Sequence, residues 1–373
     1  MQYITSSVRL FINLPDNRQF NLFGLEPKVV SSQMIDFFKT YEHFSSIKVE
    51  NIPQMYKKKY IPNCLIKNPQ AKILVIRYGG IGDVLWTTPA IRAIKEQYPL
   101  TKIKYCVSEK DREILYNNPY IDGVIATKFP RVSDLEWADF VLDFFDSVEE
   151  NEEAKVKDPI DISCDWVGLQ PSSYLPVYVM QNYEKEWAKM FLSSMGYKKE
   201  NILIGMPLTA SSMNRTWLGY HELIDVLLKT YKDLQIILLG NLPHGESITQ
   251  KIHNTIEKSD RIIDVYGRTT LRQSFAIYNE CNLIFSPDTG AVPVCASLGK
   301  KVLAMYSTVP KETRIKYYPT VKGIQADVDC NPCYKLWDCE KKYKCMNSIS
   351  VYSVFSELSK LIEEVKSEKE IRI

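Results

Sequence analysis

The sequence has almost no excess of charge of either sign, and it contains no long hydrophobic run. Its 373 residues include 47 basic and 45 acidic side chains, a net charge of +2. A nucleic-acid-binding protein has a basic excess or a basic stripe, so nucleic acid is not an expected partner. Apolar runs such as residues 236–239 are far shorter than a bilayer-spanning helix.

The N-terminal sequence MQYITSSVRLFINLP also lacks the basic start and apolar core of a signal peptide. We therefore expect a cytoplasmic protein. The 23 tyrosines leave a peripheral membrane contact open.

Histidine is scarce, and the motifs of two large enzyme classes are missing. The four histidines are scattered and none is paired with a G-x-S-x-G nucleophile motif, so we expect them on the surface or as capping residues. No G-x-G-x-x-G follows the first long strand, and the next strand, KIKYCVS, does not end on an acidic residue. A dinucleotide-dependent oxidoreductase is therefore a less favoured alternative.

From residue 71 onward, short apolar strands alternate with amphipathic helices, which predicts parallel βαβ units. The pattern begins at KILVIRY and restarts at NILIGMPL. Because the pattern starts twice, it predicts an α/β fold of two Rossmann-like domains, residues 71–198 and 199–373, that face each other across a cleft. Residues 1–70 alternate apolar and polar side chains around turn residues, which predicts a small N-terminal β-rich extension with a helical stretch near 31–41.

The sequence ILVIRYGGIGDVLWTTPAIRAIKEQYP predicts a buried strand, a glycine turn and a helix. Gly80 and Gly82 let the backbone approach a donor ligand closely, with free N–H groups at the helix start. Asp83 stands where the turn becomes the helix, so it is either a helix N-cap or a functional carboxylate. Pro89 is expected to kink or restart the helix.

The loop PLTASSMNRTW follows the first strand of the second half. Thr209 and Ser211 offer hydroxyl groups to a phosphate, and Arg215 offers a fixed positive charge. The plainer interpretation is a polar loop with a capping serine and a surface arginine.

The loop SPDTG lies between another strand and a helix. Asp288 can accept hydrogen bonds from sugar hydroxyls, while Thr289 and the Gly290 N–H can hold a diphosphate. Aspartate and threonine are also ordinary N-caps. All three motifs follow strands, where a doubly wound fold places its ligand, and this favours the functional interpretation.

Four of the nine cysteines crowd into the segment CNPCYKLWDCEKKYKC with the spacing C-x2-C-x5-C-x5-C. They are Cys330, Cys333, Cys339 and Cys345. In a cytosolic chain such a cluster suggests a metal before disulfides, and four thiolates suit tetrahedral zinc or iron. A closed four-thiolate site has no open position, so its role would be structural. Reduced cysteines in a loop are the alternative.

These motifs, in this order, resemble the family 9 glycosyltransferases, the ADP-heptose heptosyltransferases of lipopolysaccharide assembly. The resemblance covers about residues 71–365 and rests on the glycine turn, PLTASSMNRTW, YGRTTLRQSFAIYNECNLIFSPDTG, ASLGKKVLAMYST and CNPCY. It implies the GT-B fold and an inverting transferase that needs no catalytic metal. The implied partners are a nucleotide-sugar donor, most simply ADP-heptose, and a glycan or protein acceptor.

The resemblance assigns roles residue by residue. Asp83 matches the family's catalytic acid, and the D-T-G at 288–290 matches its donor-binding motif. Arg215 stands where the family usually has a lysine that holds donor phosphate. Pro293 stands where the family usually has a histidine, which puts the exact donor sugar and its orientation in doubt.

An extension before the glycine turn, together with a later cysteine-rich segment, resembles the autotransporter heptosyltransferases. Those enzymes modify protein serines and bind iron through cysteines. The sequence does not fix the acceptor, and a homo-oligomer is compatible with it. A nucleotide-sugar-binding protein without turnover is the second alternative, against which the presence of Asp83 argues.

We expect Asp83 to act as general base, taking the proton of the acceptor hydroxyl as its oxygen attacks the anomeric carbon. The leaving diphosphate would then be stabilised by fixed donors, namely Arg215, Thr289 and the N–H of Gly290.

Overall fold

A computed structural model describes five short N-terminal strands and most of the chain from residue 68 onward. The described residues are 2–6, 10–13, 19–22, 28–30, 47–51, 68–127, 130–144, 147–148, 151–208, 212–240, 248–335 and 339–371.

The N-terminal strands are antiparallel. They are β1 (Gln2–Ser6), β2 (Leu10–Asn13), β3 (Gln19–Leu22), β4 (Lys28–Val30) and β5 (Ile47–Asn51). β1 pairs with both β4 and β5, and β2 pairs with β3. The predicted β-rich extension is confirmed, while the helical stretch predicted near 31–41 lies outside the described residues.

A four-stranded parallel sheet follows, with the order β8-β7-β6-β9. Its strands are β6 (Lys72–Ile76), β7 (Lys102–Val107), β8 (Gly123–Ala126) and β9 (Phe140–Asp143). Its helices are α1 (Ile81–Gln97) and α2 (Val132–Trp137), with a 3-10 segment at Glu109–Leu115. β6 is almost wholly buried, as expected for a parallel strand covered on both faces.

The chain then forms helices α3 and α4 and a second parallel sheet. The helices are α3 (Pro159–Val167), α4 (Asn182–Ser194), α5 (Tyr220–Thr230), α6 (Ile248–Thr255), α7 (Leu271–Glu280), α8 (Ala291–Ser297), α9 (Glu312–Ile315), α10 (Lys344–Asn347) and α11 (Val351–Ile371). The strands are β10 (Ile202–Pro207), β11 (Leu234–Leu239), β12 (Ile262–Asp264), β13 (Leu283–Pro287), β14 (Lys301–Tyr306) and β15 (Val321–Gln325). 3-10 segments lie at Glu152–Lys155 and Met213–Arg215.

The second sheet has the order β12-β11-β10-β13-β14-β15, with every neighbouring pair parallel. The strand order therefore reverses between β10 and β13, which is where such sheets bind their ligands. The C-terminal helix α11 packs on this sheet and on α5, and its buried side chains join the core of the second sheet. Two parallel sheets with covering helices confirm the predicted α/β fold.

The chain divides into two compact units. The first comprises residues 1–79, 90–150 and 163–172, and the second comprises 80–89, 151–162 and 173–373. Residues 80–89, the glycine turn and first part of α1, thus count with the second unit, although sequence order alone would assign them to the first. The domain boundaries predicted from the sequence stay a prediction.

Helix α1 runs unbroken through Pro89, so the helix does not restart there. Proline has no N–H for the Leu85 carbonyl. The Thr88 hydroxyl donates to that carbonyl instead, at 2.7 Å, and accepts a hydrogen bond from the Val177 N–H at 2.8 Å. A neighbouring side chain therefore supplies the donor that the proline removes.

No helix in the described part of the chain combines the length and apolar character needed to cross a lipid bilayer.

Candidate active site

The glycine turn fixes the position of Asp83. Gly79 has φ +130°, a conformation that favours glycine, and it carries the chain from β6 into α1. The Asp83 carboxylate then accepts a hydrogen bond from the Gly80 N–H, with Oδ2 at 2.6 Å from the nitrogen. The sequence-based site included Gly80 and Gly82 and omitted Gly79, the glycine whose backbone angle the turn requires.

The segment that carries Asp83 lies directly against the D-T-G motif. A Cβ placed on Gly290 would lie 2.4 Å from Cβ of Ile81, far inside van der Waals contact. Only a glycine at position 290 permits this approach. Two motifs more than 200 residues apart in sequence therefore meet within the second unit, and Asp83 stands two residues from their contact.

Arg215 is attached to the same motif. The 3-10 segment Met213–Arg215 follows β10, and Nη1 of Arg215 donates to the backbone carbonyl oxygen of Asp288 at 3.1 Å. Asp288 in turn donates its own N–H to the Met305 carbonyl at 2.9 Å. β10 and β13 flank the point where strand order reverses, so Arg215 and Asp288 occupy the expected ligand position.

The Asp288 carboxyl is influenced by charges on both sides of the site. Burial raises its pKa above the usual range; the guanidinium groups of Arg215 and Arg314 act to lower it, and the charge of Asp83 raises it. Asp83 is thus close enough to Asp288 for their charges to interact. The half-buried Asp288 carboxyl therefore lies within electrostatic range of one carboxylate, Asp83, and of two cations, Arg215 and Arg314.

Thr289 makes local contacts. Its hydroxyl accepts a long hydrogen bond from the Ala291 N–H at 3.4 Å and lies 3.3 Å from the Ser286 hydroxyl. The N-cap position of α8 is Gly290 and has no side-chain cap, so Thr289 is not the capping residue, and its role toward a donor stays a prediction. Thr209 and Ser211 lie outside the described residues.

Trp217, which closes the PLTASSMNRTW motif, belongs to the core. Its indole N–H donates to the Ile349 carbonyl at 2.9 Å, and its ring packs edge-on against Tyr220 and Phe285. It is 3% exposed, so it anchors the loop that carries Arg215 and does not face a ligand.

Sequence reasoning missed the segment after β14. There α9 carries Arg314, whose guanidinium lies over the Trp86 ring, 5.4 Å from its centroid. Tyr318, just after α9, is buried, and its N–H donates to the Ile315 carbonyl. Asp158, whose charge interacts with that of Arg314, is also buried, with 3% of its surface exposed. The rule that ligands bind at the carboxyl ends of strands could have drawn attention to KETRIKYY, because it follows KVLAMYS.

The four clustered cysteines are free thiols, of which Cys345 is buried. Burial raises the pKa of the Cys345 thiol, and charge on Cys330, Cys333 and Cys339 raises it further. The four sulfurs thus lie within electrostatic range of one another. Nevertheless, no three cysteine, histidine or acidic side chains in the described ranges are arranged closely enough to hold a metal ion. The donor set fits a thiolate metal, while the positions of the sulfurs do not converge on one point.

The cysteine-rich segment is also tied to the segment that carries Arg215. The Asn214 amide donates to the Lys335 carbonyl at 2.6 Å, and α10 packs on Met213–Arg215. The Tyr334 N–H donates to the Thr308 carbonyl at 2.8 Å. The segment therefore braces loops that follow both β10 and β14.

Comparison with known proteins agrees with this architecture. A model of the family described as glycosyltransferase family 9 (heptosyltransferase) matches residues 146–344, more than half of the chain. No curated protein matches the chain by sequence.

Solved structures share the fold at low sequence identity. A family 9 glycosyl transferase from Veillonella parvula DSM 2008 is 20% identical, covers 79% of this chain and 98% of its own, and has a TM-score of 0.64. The E. coli ADP-heptose LPS heptosyltransferase II is 16% identical over 80% of this chain and 99% of its own, with a TM-score of 0.62.

The iron-containing dodecameric glycosyltransferase TibC, from enterotoxigenic E. coli H10407, is 10% identical with a TM-score of 0.59. It covers 98% of this chain and 92% of its own. Another structure of TibC is a complex with ADP-D-β-D-heptose.

Proposed function

The chain belongs to glycosyltransferase family 9, the heptosyltransferase family, and from this membership we propose that it transfers a heptose from ADP-heptose to an acceptor hydroxyl with inversion at the anomeric carbon. The observation that carries the proposal is the contact between Ile81 and Gly290. It brings the carboxylate of Asp83 to the motif that would bind the donor.

The proposed reaction is a single displacement. The acceptor oxygen forms a bond to the anomeric carbon, and its proton goes to Asp83. The bond between that carbon and the diphosphate oxygen breaks, and the electron pair stays on the diphosphate. A general base must lie within about 2.6–3.2 Å of the proton donor or act through one water, and Asp83 at the start of α1 is the carboxylate suited to this.

The departing diphosphate gains negative charge, which fixed donors must stabilise. Arg215 is held for this role by its hydrogen bond to the Asp288 carbonyl. Thr289 and the Gly290 N–H are the further donors we infer. Removal of a preorganised donor of this kind typically lowers the rate about 10²- to 10³-fold.

A protein hydroxyl is the acceptor we infer. The TibC structures align with 98% of this chain, whereas the lipopolysaccharide enzyme aligns with 80%. An alignment over 98% of the chain includes most of residues 1–70, and the resemblance to the autotransporter heptosyltransferases points the same way. A homo-oligomer is part of the same proposal.

We also infer a structural zinc or iron ion on Cys330, Cys333, Cys339 and Cys345. The ion would supply no step of the reaction, and its thiolates would hold the segment that braces Arg215. Elemental analysis of the purified protein tests this inference: about one metal ion per chain is expected, and its absence together with four titratable thiols would refute it.

The central experiment is a donor panel. Wild-type protein is incubated with nucleotide sugars, ADP-heptose included, together with a serine-rich protein acceptor and a lipopolysaccharide core acceptor. We expect ADP release and heptosylation of the protein acceptor, with NMR reporting an inverted anomeric configuration. Binding without turnover would favour the silent nucleotide-sugar binder, and binding of no nucleotide sugar would refute the proposal.

A further inference from the structure

The segment between β14 and β15 places a second arginine beside the donor motif. Strands β13 and β14 are adjacent and parallel, with Pro287 paired to Met305, so the residues after both strands lie at one edge of the sheet. Asp288 follows β13, and the chain after β14 leads to Arg314 on α9. Arg314 interacts electrostatically with the Asp288 carboxyl.

Three contacts hold the Arg314 side chain. The guanidinium lies over the Trp86 ring, and its Nη1 donates to the carbonyl and the hydroxyl of Thr313, at 3.1 and 3.0 Å. Trp86 belongs to the 80–89 segment that carries Asp83. Arg314 therefore connects the glycine-turn segment with the edge of the second sheet.

The surroundings of the Arg314 charge point to an anionic ligand. The half-buried guanidinium forms no ion pair with any carboxylate among the described residues. Its charge acts on the buried Asp158 and on the half-buried Asp288, and desolvation disfavours the anionic form of both carboxyls. A fixed cation so placed, beside a motif that would bind a nucleotide sugar, suits an anionic ligand.

We propose that the Arg314 guanidinium binds the diphosphate of the nucleotide-sugar donor and acts with Arg215 as a second cation for the leaving group. This inference rests on the proposed function of the site. Arg314 stays protonated throughout: the electron pair of the broken sugar–oxygen bond stays on the diphosphate, and the proton of the acceptor goes to Asp83. The positive charge of Arg314 would neutralise part of the negative charge on the departing diphosphate.

Binding of inorganic pyrophosphate, ADP and AMP, measured by calorimetry at fixed ionic strength, tests the proposal. Arg314→Gln should weaken pyrophosphate and ADP binding about 10- to 100-fold, because a hydrogen-bonded charge is lost. AMP, with one phosphate, should lose less. Arg314→Lys should restore part of the affinity, because it keeps the charge and loses the planar fork.

The matched control is Arg92→Gln. Arg92 is also half-buried, and its guanidinium lies over the Tyr120 ring at 5.5 Å, nearly the same distance as for Arg314 and Trp86. Arg92 belongs to the first unit. Arg92→Gln should therefore leave the affinities for pyrophosphate, ADP and AMP within about twofold of wild type. This control shows how much affinity is lost when only an arginine–aromatic contact is removed.

A purely structural role for Arg314 predicts a different result. If Arg314 only balances the Asp158 charge, then Asp158→Asn should restore full pyrophosphate and ADP affinity to Arg314→Gln. We expect no rescue. Full rescue, unchanged affinity in Arg314→Gln, or no binding of pyrophosphate and ADP by wild type would each overturn the proposal.

Sugar transfer measured on the same samples separates the two proposals. If wild type binds ADP through Arg314 and transfers no sugar, the proposed function fails while the role of Arg314 stands. If transfer occurs and Arg314→Gln matches wild type in kcat and KM, the role of Arg314 fails alone. Thermal unfolding of each variant confirms that it is folded.

Discussion

The carboxyl edges of the two parallel sheets carry different chemistry. At the edge of the first sheet, the Tyr78 hydroxyl lies 3.1 Å from the sulfur of Cys106, which lies 3.6 Å from the Thr127 hydroxyl. Burial raises the pKa of Tyr78 and of Cys106, so both groups stay neutral. At the edge of the second sheet stand Arg215 and Asp288, with Arg314 close by.

Both edges occupy the position where a doubly wound sheet binds ligands, so topology alone does not distinguish them. The difference lies in particular groups. The first edge carries the neutral hydrogen-bonded cluster of Tyr78, Cys106 and Thr127, and its buried Arg77 donates to the Phe144 carbonyl. At the second edge, Arg215, Asp288 and Arg314 lie beyond the ends of β10, β13 and β14. A diphosphate requires the charged edge, while an acceptor with hydroxyl groups requires only neutral partners. Under the proposed function, the side chains in the loops, and not the shared topology, would decide which sheet binds the donor.

The largest expected effect is at Asp83, whose carboxylate lies with the charged edge. Asp83→Asn keeps an oxygen that can accept from the Gly80 N–H and removes the base, so kcat should fall about 10²- to 10⁴-fold with donor affinity unchanged. Steady-state kinetics and ADP calorimetry measure both quantities.

The control is Asp134→Asn. Asp134 accepts from the Arg131 N–H at 2.9 Å, the same local contact over the same spacing, in the first unit. It should leave kcat within about twofold of wild type. If both variants lose activity equally, the effect at Asp83 is that of a lost cap, and its assignment as base is wrong.

The second unit also contains a buried ion pair, Arg272 with Glu184, whose expected role is to stabilise the fold. Arg272 and Glu184 form a buried bidentate pair at 2.5 and 2.6 Å, and Arg272 also donates to the Val179 carbonyl at 2.8 Å. Arg272→Ala leaves Glu184 buried without its cation and should lower the free energy of unfolding by about 3–5 kcal/mol. Urea denaturation measures the change.

The control for Arg272 is the exposed pair of Lys229 and Asp225, 2.6 Å apart. Lys229→Ala should leave the free energy of unfolding nearly unchanged, because an exposed pair is screened by solvent. ADP affinity of folded Arg272→Ala should match wild type. A loss of affinity would mean that the buried pair serves the charged edge and not only the packing of α4 on α7.

Asp158 should make the stability of the folded chain depend on pH. Burial raises the pKa of its carboxyl from 3.8 to about 7. The folded chain therefore holds a proton there that the unfolded chain releases above about pH 4, so this group makes stability fall as pH rises from about 4 to about 7.

Asp158→Asn should remove that slope and stabilise the protein at pH 8 by about 1–3 kcal/mol. The asparagine oxygen can still accept the Ile160 N–H, which lies 2.8 Å from Asp158. Urea denaturation at pH 5 and pH 8 measures the difference between the variants. Equal slopes in wild type and Asp158→Asn would contradict the expected titration.

The smallest effect is expected at the neutral cluster of Tyr78, Cys106 and Thr127 in the first sheet. Cys106→Ser keeps a hydrogen-bonding group beside Tyr78 and Thr127 and should change stability by less than about 1 kcal/mol. ADP affinity should stay the same as in wild type. Cys106→Val removes that group and should cost more, about 1–2 kcal/mol. Weaker ADP binding in Cys106→Ser would break the division between the two edges.

Much of the fold follows from local patterns in the sequence. The strands predicted at KILVIRY, KIKYCVS and NILIGMPL are present as β6, β7 and β10. A parallel strand that is buried on both faces, such as ILIGMP in β10, has a short and mostly apolar sequence that can be recognised locally. The strand β15 was not predicted, since Val321–Gln325 reads VKGIQ, in which only Val321 is buried and the pattern is weak. Gly196, with φ +86°, comes directly after the C-cap residue of α4, a position where glycine commonly ends a helix.

The site was partly predictable for the same reason. Asp83, Arg215 and Asp288 lie in compact motifs directly after strands, so sequence position alone indicated them. Arg314 stands eight residues beyond the end of β14 in a segment without a glycine motif. Its relevance comes from contacts with Trp86 and from the charge of Asp288, and such contacts exist only once the chain has folded.

The close approach of Ile81 to Gly290 also constrains how such an enzyme can be recombined. A chimera that takes its glycine-turn helix from one parent and its D-T-G half from another inherits residues 81 and 290 from different sources. Any β-carbon at 290 would occupy the space of the Ile81 side chain. A crossover point between the two positions is therefore tolerated only when the parent that supplies position 290 has glycine there.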